Sequence, residues 1–312
     1  MWGTRKIYAI RISKSGETLD SSPILVSYEG DASTFDRSPS IAFNGTDYLV
    51  AWQGQGRYFF QQMGKDNTYN SAVFSALLSG DGNVSNRKIL DLKEHRNFSS
   101  PKVVYRNGAF DAAWVNVIYE DEADRNVFYG RRVTHDGNFA DSPPIKLDDV
   151  TGTLYGWDLV SNGSSALLNI GVTVDHNFGY GVTHADNWHY RHYYDLNELT
   201  NSSANTTSGL LWELRKSTKH VPEILALNGE FRLYYYEEKS LLYKHFDPAS
   251  GELSPPSIFG TRWTDRGFQS HYVSSPVVSI GESDELLIFD RAGKIEGWLK
   301  SAFSNQPPGY DD

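Results

Sequence analysis

The sequence predicts an all-β protein, a β-propeller built from four-stranded antiparallel blades. The first observation behind this prediction is a recurring pair of apolar strands that are joined, in four of five copies, by an Asn-Gly turn. Asn-Gly supplies the positive φ angles that a two-residue hairpin turn needs. The second observation is the period, since equivalent positions of the five copies lie at residues 39, 101, 157, 222 and 276. A self-similar all-strand unit at such a period is typical of propeller blades.

The clearest copy runs from Ser38 to Trp52. Ile41 and Phe43 alternate on one side of its first strand, and Leu49 and Trp52 belong to an apolar second strand. We label these strands A and B. The other A–B hairpins are predicted at 100–114, 157–168, 221–234 and 275–289.

A third strand, C, follows each hairpin and ends in a polar turn, and a fourth strand, D, follows most C strands. The predicted C strands are 7–12, 72–78, 127–133, 188–194, 241–246 and 294–299, and D strands include 24–27, 89–92 and 145–147. There are six C strands for five hairpins, so the chain begins inside a blade. Either this N-terminal half-blade closes the ring with C-terminal strands, or the native gene product is longer. We therefore expect a single propeller domain over residues 1–312 with five to seven blades.

Composition excludes several classes of function. The net charge is −10, from 29 Lys plus Arg and 39 Asp plus Glu, which argues against nucleic acid as the main partner. The chain has no cysteine, so disulfides, thiolate metal sites and cysteine nucleophiles are excluded. No apolar run is long enough to span a membrane, and no signal peptide is visible at Met1. We expect a monomer without membrane insertion.

The blade motif also carries a resemblance. Ser-Pro-x-Ile/Val-x-aromatic, then Asn-Gly, then Tyr-Leu-Val-Ala-Trp, then Ile-Tyr-Ala-x-Arg-Ile-Ser-x-x-Gly resembles a repeat of secreted bacterial β-propeller proteins. The resemblance covers most of residues 1–171 well and residues 221–300 loosely. It implies the propeller fold and an extracellular or periplasmic location, and it says almost nothing about activity.

Propeller geometry predicts where a site would lie. D–A connections and B–C loops share one face of a propeller, around the mouth of the central channel, and we call this the channel-mouth face. Residues near the starts of A strands converge there: Arg37, His95, Arg96, Tyr155, Lys219, His220, His271 and Tyr272. Two long B–C loops, 53–69 and 174–187, add aromatic and polar side chains. Five of the nine histidines fall on this face: His95, His176, His184, His220 and His271.

These residue types suit an acidic sugar. Aromatic faces stack on the C–H side of a pyranose, and arginine holds a carboxylate or sulfate with two hydrogen bonds. The expected substrate-binding residues are Tyr58, Phe59, Gln61, Tyr180, His184, His220, Lys219 and Arg262. A divalent metal, calcium or zinc, is a further expectation, with His176, His184 and Asp186 as its ligands. No other cofactor is indicated.

The same set predicts a mechanism. β-Elimination from a uronic acid needs a group that neutralises the carboxylate, a base for the C5 proton and an acid for the leaving oxygen. We assign His95 as base, Tyr155 as acid, Arg96 or Arg37 as neutraliser, and His271 with Tyr272 as a reserve pair. In its expected fold and in these residue types the chain resembles seven-bladed β-propeller polysaccharide lyases, although it shares no contiguous motif with them.

Two other functions stay open at this stage. A non-catalytic propeller that binds glycans or proteins should repeat one site in several blades, whereas the loops here are unequal and favour one asymmetric site. A glycoside hydrolase needs two or more carboxylates at the channel mouth, where Asp36 is the visible exception among His, Arg and Tyr. The sequence therefore favours a lyase that acts on an acidic polysaccharide.

Overall fold

The computed structural model describes residues 5–13, 15–28, 36–55, 69–94, 97–118, 125–140, 143–173, 189–195, 208–214, 223–227, 229–237, 240–247, 250, 252–261, 277–280, 284–291 and 294–299. The regular secondary structure of these residues consists of β-strands, and every strand pairing is antiparallel. No described segment forms a helix of the length and apolarity that a membrane span requires.

Consecutive strands form consecutive sheets. The half-sheet pairs β1 (Tyr8–Ala9) with β2 (Ile24–Leu25). The first blade contains β3 (Arg37–Phe43), β4 (Asp47–Gln55), β5 (Tyr69–Ser79) and β6 (Val84–Glu94). The second blade contains β7 (Asn97–Arg106), β8 (Ala109–Ile118), β9 (Arg125–Thr134) and β10 (Ile145–Thr151). The third blade contains β11 (Thr153–Ser161), β12 (Ala166–Thr173), β13 (His189–Asp195) and β14 (Ser208–Leu214).

The fourth and fifth blades depart from this regular plan. The fourth contains β15 (Glu223–Leu227), β16 (Glu230–Glu237) and β17 (Ser240–Asp247), and two short strands share the edge of β17: β18 (Glu252–Leu253) and β19 (Ser257–Thr261). Pro255 and Pro256 separate β18 from β19, because proline has no N–H to donate to a strand ladder. The fifth contains β20 (Val277–Ile280), β21 (Asp284–Arg291) and β22 (Lys294–Leu299).

The sheets pack face to face in sequence order. Alternate residues of β4 serve different cores: Val50 and Trp52 pack against the half-sheet, while Leu49 and Ala51 pack against the second blade. The second and third blades share a core around Phe128. A further core joins the third blade to the fourth, and the first strands β3, β7, β11, β15 and β20 lie side by side in that order. Sheets packed in this way form the blades of a propeller. The strand β4 is buried on both of its faces, because a sheet lies against each of them.

The hairpin turns follow local chemistry. The second hairpin has the predicted two-residue turn, in which Asn107 and Gly108 both have positive φ, 46° and 77°. The first hairpin differs from the prediction, because four residues, 44–47, lie between the paired strand ends Phe43 and Tyr48. The Asn44 side-chain oxygen accepts hydrogen bonds from the backbone N–H groups of Thr46 and Asp47, at 2.8 and 2.7 Å. This side-chain mimic of a backbone turn is the reason for the longer loop.

The Ser-Pro pairs of the first two blades lie in β-bulges and not at strand starts, which corrects the predicted bounds of these two A strands. In β3 the register shifts between Arg37 and Ser40, and Ser38 has a φ of 52°. In β7 it shifts between Ser99 and Lys102. A bulge tolerates proline because the bulged residues leave the ladder of hydrogen bonds. The first two A strands therefore begin earlier than predicted, at Arg37 and Asn97, whereas β15 and β20 begin later than predicted, at Glu223 and Val277.

The first B–C loop is also shorter than predicted. Gln53 and Gln55 belong to β4, and Tyr69 belongs to β5, so the expected loop 53–69 loses residues at both ends to the strands. The pairing of β4 with β5 extends to Gln55 and Ser71. Gln53 and Ser71 are polar, but both are buried in this part of the sheet.

Candidate functional site

Arg37 is the predicted site residue whose side chain the structure describes. It is the first residue of β3 and pairs with Gln53 of β4. Its Nε donates a hydrogen bond of 3.0 Å to Gln53 Oε1, and Gln53 is only 1% exposed. Arg37 as a whole residue is exposed, and no ion pair joins it to a carboxylate among the described residues. Arg37 is thus a fixed cation with its outer nitrogens available at the start of strand A.

Asp36 lies beside Arg37 but in a different environment. Its backbone N–H donates to the carbonyl oxygen of Arg5 at 3.2 Å, and its carboxylate lies 4.0 Å from Lys6 Nζ. Asp36 is 6% exposed, so this carboxylate is largely removed from solvent. The backbone of Gly54 approaches it closely: a Cβ at Gly54 would lie 2.9 Å from Asp36 Oδ1 and 2.5 Å from Phe74 Cε2. Glycine is required there for the carboxylate to hold its position.

Polar side chains are also buried where strands of the first two blades approach this face. Gln53 Nε2, Ser71 Oγ and both amide atoms of Asn116 have no hydrogen-bond partner within the described part of the chain. Asn126 is partly satisfied, since its Nδ2 donates to the carbonyl oxygen of Gly152 at 2.7 Å. Buried polar atoms normally have partners, so this end of the blades is unusually rich in groups that can form hydrogen bonds.

Tyr155 lies inside β11 and not before it, which corrects its predicted place. The pairing of β11 with β12 shifts between Leu154 and Gly156, so Tyr155 is the bulged residue of this A strand. It occupies the same part of its strand as the Ser38 and Ser100 bulges. Bulges re-aim side chains and are frequent beside active sites.

The remaining predicted site residues fall outside the described residues. They are His95, Arg96, His271 and Tyr272 of the catalytic set; Tyr58, Phe59, Gln61, Tyr180, His184, His220, Lys219 and Arg262 of the substrate-binding set; and His176, His184 and Asp186 of the metal set. These assignments stay predictions. No three His, Asp or Glu side chains come together as a metal-binding group in the described ranges.

Other charged clusters have structural roles. Asp149 accepts hydrogen bonds from the guanidinium of Arg125 at 2.7 and 2.5 Å, and Lys146 lies 2.6 Å away. The Arg125 guanidinium, with help from Lys146, lowers the pKa of Asp149 to about 2. Asp111 joins three strands of the second blade, because it binds Arg106 of β7 and Arg132 of β9. Sequence patterns gave no sign of this buried cluster.

A surface cavity that sequence reasoning missed lies at the fourth blade. It is formed around the A–B turn and the β17–β18 turn, which place it on the opposite face from the channel mouth. Glu230, His245 and Glu252 line it, and His245 Nδ1 lies 3.0 Å from Glu230 Oε2. The cavity is separate from the predicted site.

Comparison with known proteins bears on the fold. No protein-family model matches the chain, and no curated protein sequence matches it. Solved structures do match: a mutant of puromycin hydrolase complexed with PGG has a TM-score of 0.50 at 16% identity, over 94% of this chain and 40% of that one.

Two carbohydrate-acting enzymes match less closely. Xylan β-1,4-xylosidase from Bacillus halodurans has a TM-score of 0.43 at 11% identity, over 85% of this chain and 52% of that one. A mutant of Trypanosoma rangeli sialidase with trans-sialidase activity has a TM-score of 0.48 at 10% identity, over 88% and 46%. The chain thus spans 40% to 52% of the length of these three proteins. At such identities the similarity shows the fold alone, and the predicted all-β propeller class is confirmed. Membership of the secreted bacterial repeat proteins stays a prediction.

Proposed function

We propose that this protein is a carbohydrate-active enzyme that binds an acidic polysaccharide at the channel-mouth face and cleaves it by β-elimination. The observation that carries the proposal is Arg37, an exposed arginine whose guanidinium is held in place by a buried glutamine. The bond to Gln53 uses Nε, so the two outer nitrogens can bind both oxygens of a carboxylate. Such a two-point contact gives orientation as well as affinity.

This contact would also prepare the chemistry. When the guanidinium neutralises a uronate carboxylate, the adjacent C5 proton becomes more acidic and the carbanion that follows its removal is stabilised. His95 is our candidate for the base, and Tyr155 for the acid that protonates the leaving oxygen. The bulge at Tyr155 supports this assignment, because it takes that residue out of the strand ladder on an inner strand.

Asp36 supports a second candidate, glycoside hydrolysis. A buried carboxylate beside the channel mouth is the kind of group that such enzymes use. Hydrolysis also needs a second carboxylate in reach of the same bond, and the residues predicted at the other A-strand starts are mainly His, Arg and Tyr. We therefore place elimination first and binding without catalysis third.

One incubation separates these three functions. The protein is mixed with a panel of uronate-containing and neutral polysaccharides, with and without chelator, and both ultraviolet absorbance and reducing ends are followed. Elimination raises both signals, because its product is an unsaturated uronate. Hydrolysis raises reducing ends alone, and a binding protein raises neither but retards a glycan on a native gel. Loss of the signal with chelator would support the metal expectation.

Substitution of Arg37 tests the carboxylate contact itself. We expect Arg37→Ala to weaken binding of the acidic glycan about 10- to 100-fold, the range for a hydrogen bond to a charged group. Arg125→Ala is the matched control, since Arg125 is another exposed arginine but already binds Asp149. Equal affinity of both variants for the acidic glycan would contradict the assignment of Arg37.

A further inference from the structure

Three A–B turns in the described residues contain an asparagine that is followed directly by glycine: Asn44-Gly45, Asn107-Gly108 and Asn162-Gly163. Asn228-Gly229 repeats the pair in the fourth blade, but Asn228 lies outside the described residues. Asparagine is thermolabile, because the backbone nitrogen of the next residue can attack its side-chain amide. Glycine has no Cβ to hinder that attack. The three turns therefore share one local chemistry, and what holds each asparagine in place governs how fast it reacts.

The side chain of Asn162 is held by four hydrogen bonds. Its Oδ1 accepts bonds from the backbone N–H groups of Ser164 and Ser165, at 3.1 and 2.7 Å, and from the Ser164 hydroxyl at 3.1 Å. Its Nδ2 donates to the carbonyl oxygen of Gly229, in the A–B turn of the fourth blade, at 2.8 Å. Rotation of this amide towards the backbone nitrogen of Gly163 would have to break these bonds.

The side chain of Asn107 makes one hydrogen bond to the described residues. Its Nδ2 donates to the carbonyl oxygen of Ser164 at 2.8 Å. Asn107 and Gly108 are both exposed, whereas Asn162 is half-buried. Asn44 is intermediate, because its Oδ1 accepts two hydrogen bonds from backbone N–H groups. Of the three asparagine side chains, that of Asn107 is thus the least restrained.

The attacking nitrogens differ in the same sense. The Gly163 N–H donates to Ser161 Oγ at 3.0 Å, which ties this nitrogen to another partner. The Gly108 N–H makes no hydrogen bond within the described part of the chain. Both the amide and the nitrogen that attacks it are therefore less restrained at Asn107-Gly108 than at Asn162-Gly163.

We propose that Asn107 is a site of spontaneous deamidation in the folded protein, and that the fold protects Asn162 from the same reaction. The Gly108 nitrogen attacks Asn107 Cγ, so that a new C–N bond forms and the Cγ–Nδ2 bond breaks. Nδ2 leaves as ammonia, which takes up, through solvent, the proton that the glycine N–H gives up. Water then opens the cyclic imide at either of its carbonyl groups and leaves aspartate or isoaspartate.

The product loses a contact between the second and third blades. Its carboxylate has no N–H to donate and lies beside the carbonyl oxygen of Ser164, which accepts the hydrogen bond from Asn107 Nδ2. Isoaspartate also adds an atom to the backbone of this turn, where the Asn107 N–H donates to the carbonyl oxygen of Gly163 at 3.2 Å. Deamidation therefore loosens the contact between these two turns, on the face opposite the channel mouth.

The test compares the three sites in one protein. The full chain is incubated at mildly alkaline pH in heavy-oxygen water, and the converted fraction of each asparagine is measured by peptide mapping with mass spectrometry. Oxygen from the solvent marks the asparagines that react during the incubation. A hydrogen bond contributes about a fivefold factor, and Asn162 must break four where Asn107 breaks one. We therefore expect Asn107 to react at least about tenfold faster than Asn162, with Asn44 between them.

Two controls separate the fold from the sequence. In urea at a concentration that unfolds the chain, the difference between Asn107 and Asn162 should disappear, because all three sites are Asn-Gly pairs. Asn107→Asp imitates one product and should lower the ratio of folded to unfolded protein about fivefold, the factor for one hydrogen bond. Asn44→Asp is the matched variant and should lower that ratio less, because aspartate keeps an oxygen that can accept both backbone hydrogen bonds of this turn.

Two results would overturn the modification site. They are a reaction at Asn107 that is no faster than at Asn162 in the folded protein, and a difference between the two that persists in urea. An Asn107→Asp variant as stable as the wild type would overturn the loosened contact between the blades. None of these outcomes depends on the proposed reaction at the channel mouth.

Discussion

Replacement of Asp111 by alanine should be among the most damaging single changes in the second blade. Asp111 and Arg106 both have fully buried side chains, and Arg106 Nε lies 2.5 Å from Asp111 Oδ2. Arg132, which is 13% exposed, donates two further hydrogen bonds to the same carboxylate, at 2.8 and 3.1 Å. Without the carboxylate, Arg106 is left as a buried cation that has lost its closest anion.

The magnitude follows from that burial. Removal of one partner of a buried ion pair costs about 3–5 kcal/mol, because the remaining charge stays out of water without compensation. Arg106 also reaches towards the carbonyl oxygen of Ser164 in the third blade, at 3.4 Å, so the damage should extend to the contact between blades. For a domain of this size we expect the melting temperature to fall by roughly 10 °C.

Asp149 provides the matched control. Its carboxylate also accepts two hydrogen bonds from one arginine and has a second cation nearby, but Arg125 and Lys146 are 42% and 53% exposed. Exposed pairs contribute about 0–1 kcal/mol. Asp149→Ala should therefore change the free energy of unfolding by less than about 1 kcal/mol.

The assay is equilibrium unfolding in urea, followed by circular dichroism and tryptophan fluorescence, on the wild type and both alanine variants. Coincident transitions by the two probes would justify a single free energy of unfolding. The reasoning is refuted if Asp111→Ala costs no more than Asp149→Ala, because burial would then not decide the contribution of the pair.

Three further predictions concern packing and pH. Gly54→Ala should lower stability and disturb Phe74, because the new Cβ would lie 2.5 Å from that ring, and crystallography of the variant would show the shift. Trp114→Ala should cost about 3–5 kcal/mol in urea unfolding, since this side chain is fully buried between the first two blades, and a loss below about 1 kcal/mol would contradict its place in that core. The pKa of Asp149 is lowered to about 2 by Arg125, so its contribution to stability is present above about pH 4 and is lost as the pH falls towards 2. Asp149→Asn should remove that part of the acid dependence, and an unchanged pH profile would count against the ion pair.

The propeller could be predicted because its signals are local. Asn107-Gly108 adopts the positive φ angles that its sequence favours, and alternate apolar residues of β4 are buried on two faces. Each of these features depends on a few neighbouring residues and on the period of a strand. All six predicted C strands overlap observed strands, and the first of them overlaps the short strand β1.

The candidate site could be predicted in part. The start of strand A was the right place to look for Arg37, but the buried Gln53 that fixes its guanidinium was expected in a loop. Gln53 is polar, and a polar residue after a strand resembles the beginning of a loop in the sequence. Its burial depends on the second blade, which is distant in sequence.

The sequence by itself therefore determined where most strands lie, the turn at Asn107-Gly108 and the class of fold, because those follow from interactions between near neighbours. The tertiary structure decided which side chains are covered. Ile41 and Val103 occupy the same place in the repeat, yet one is 55% exposed and the other 6%, since the preceding sheet differs. It also decided which ion pair is buried: Asp111 and Asp149 both bind arginine, and the pair of Asp111 with Arg106 is fully buried whereas Arg125 beside Asp149 is 42% exposed.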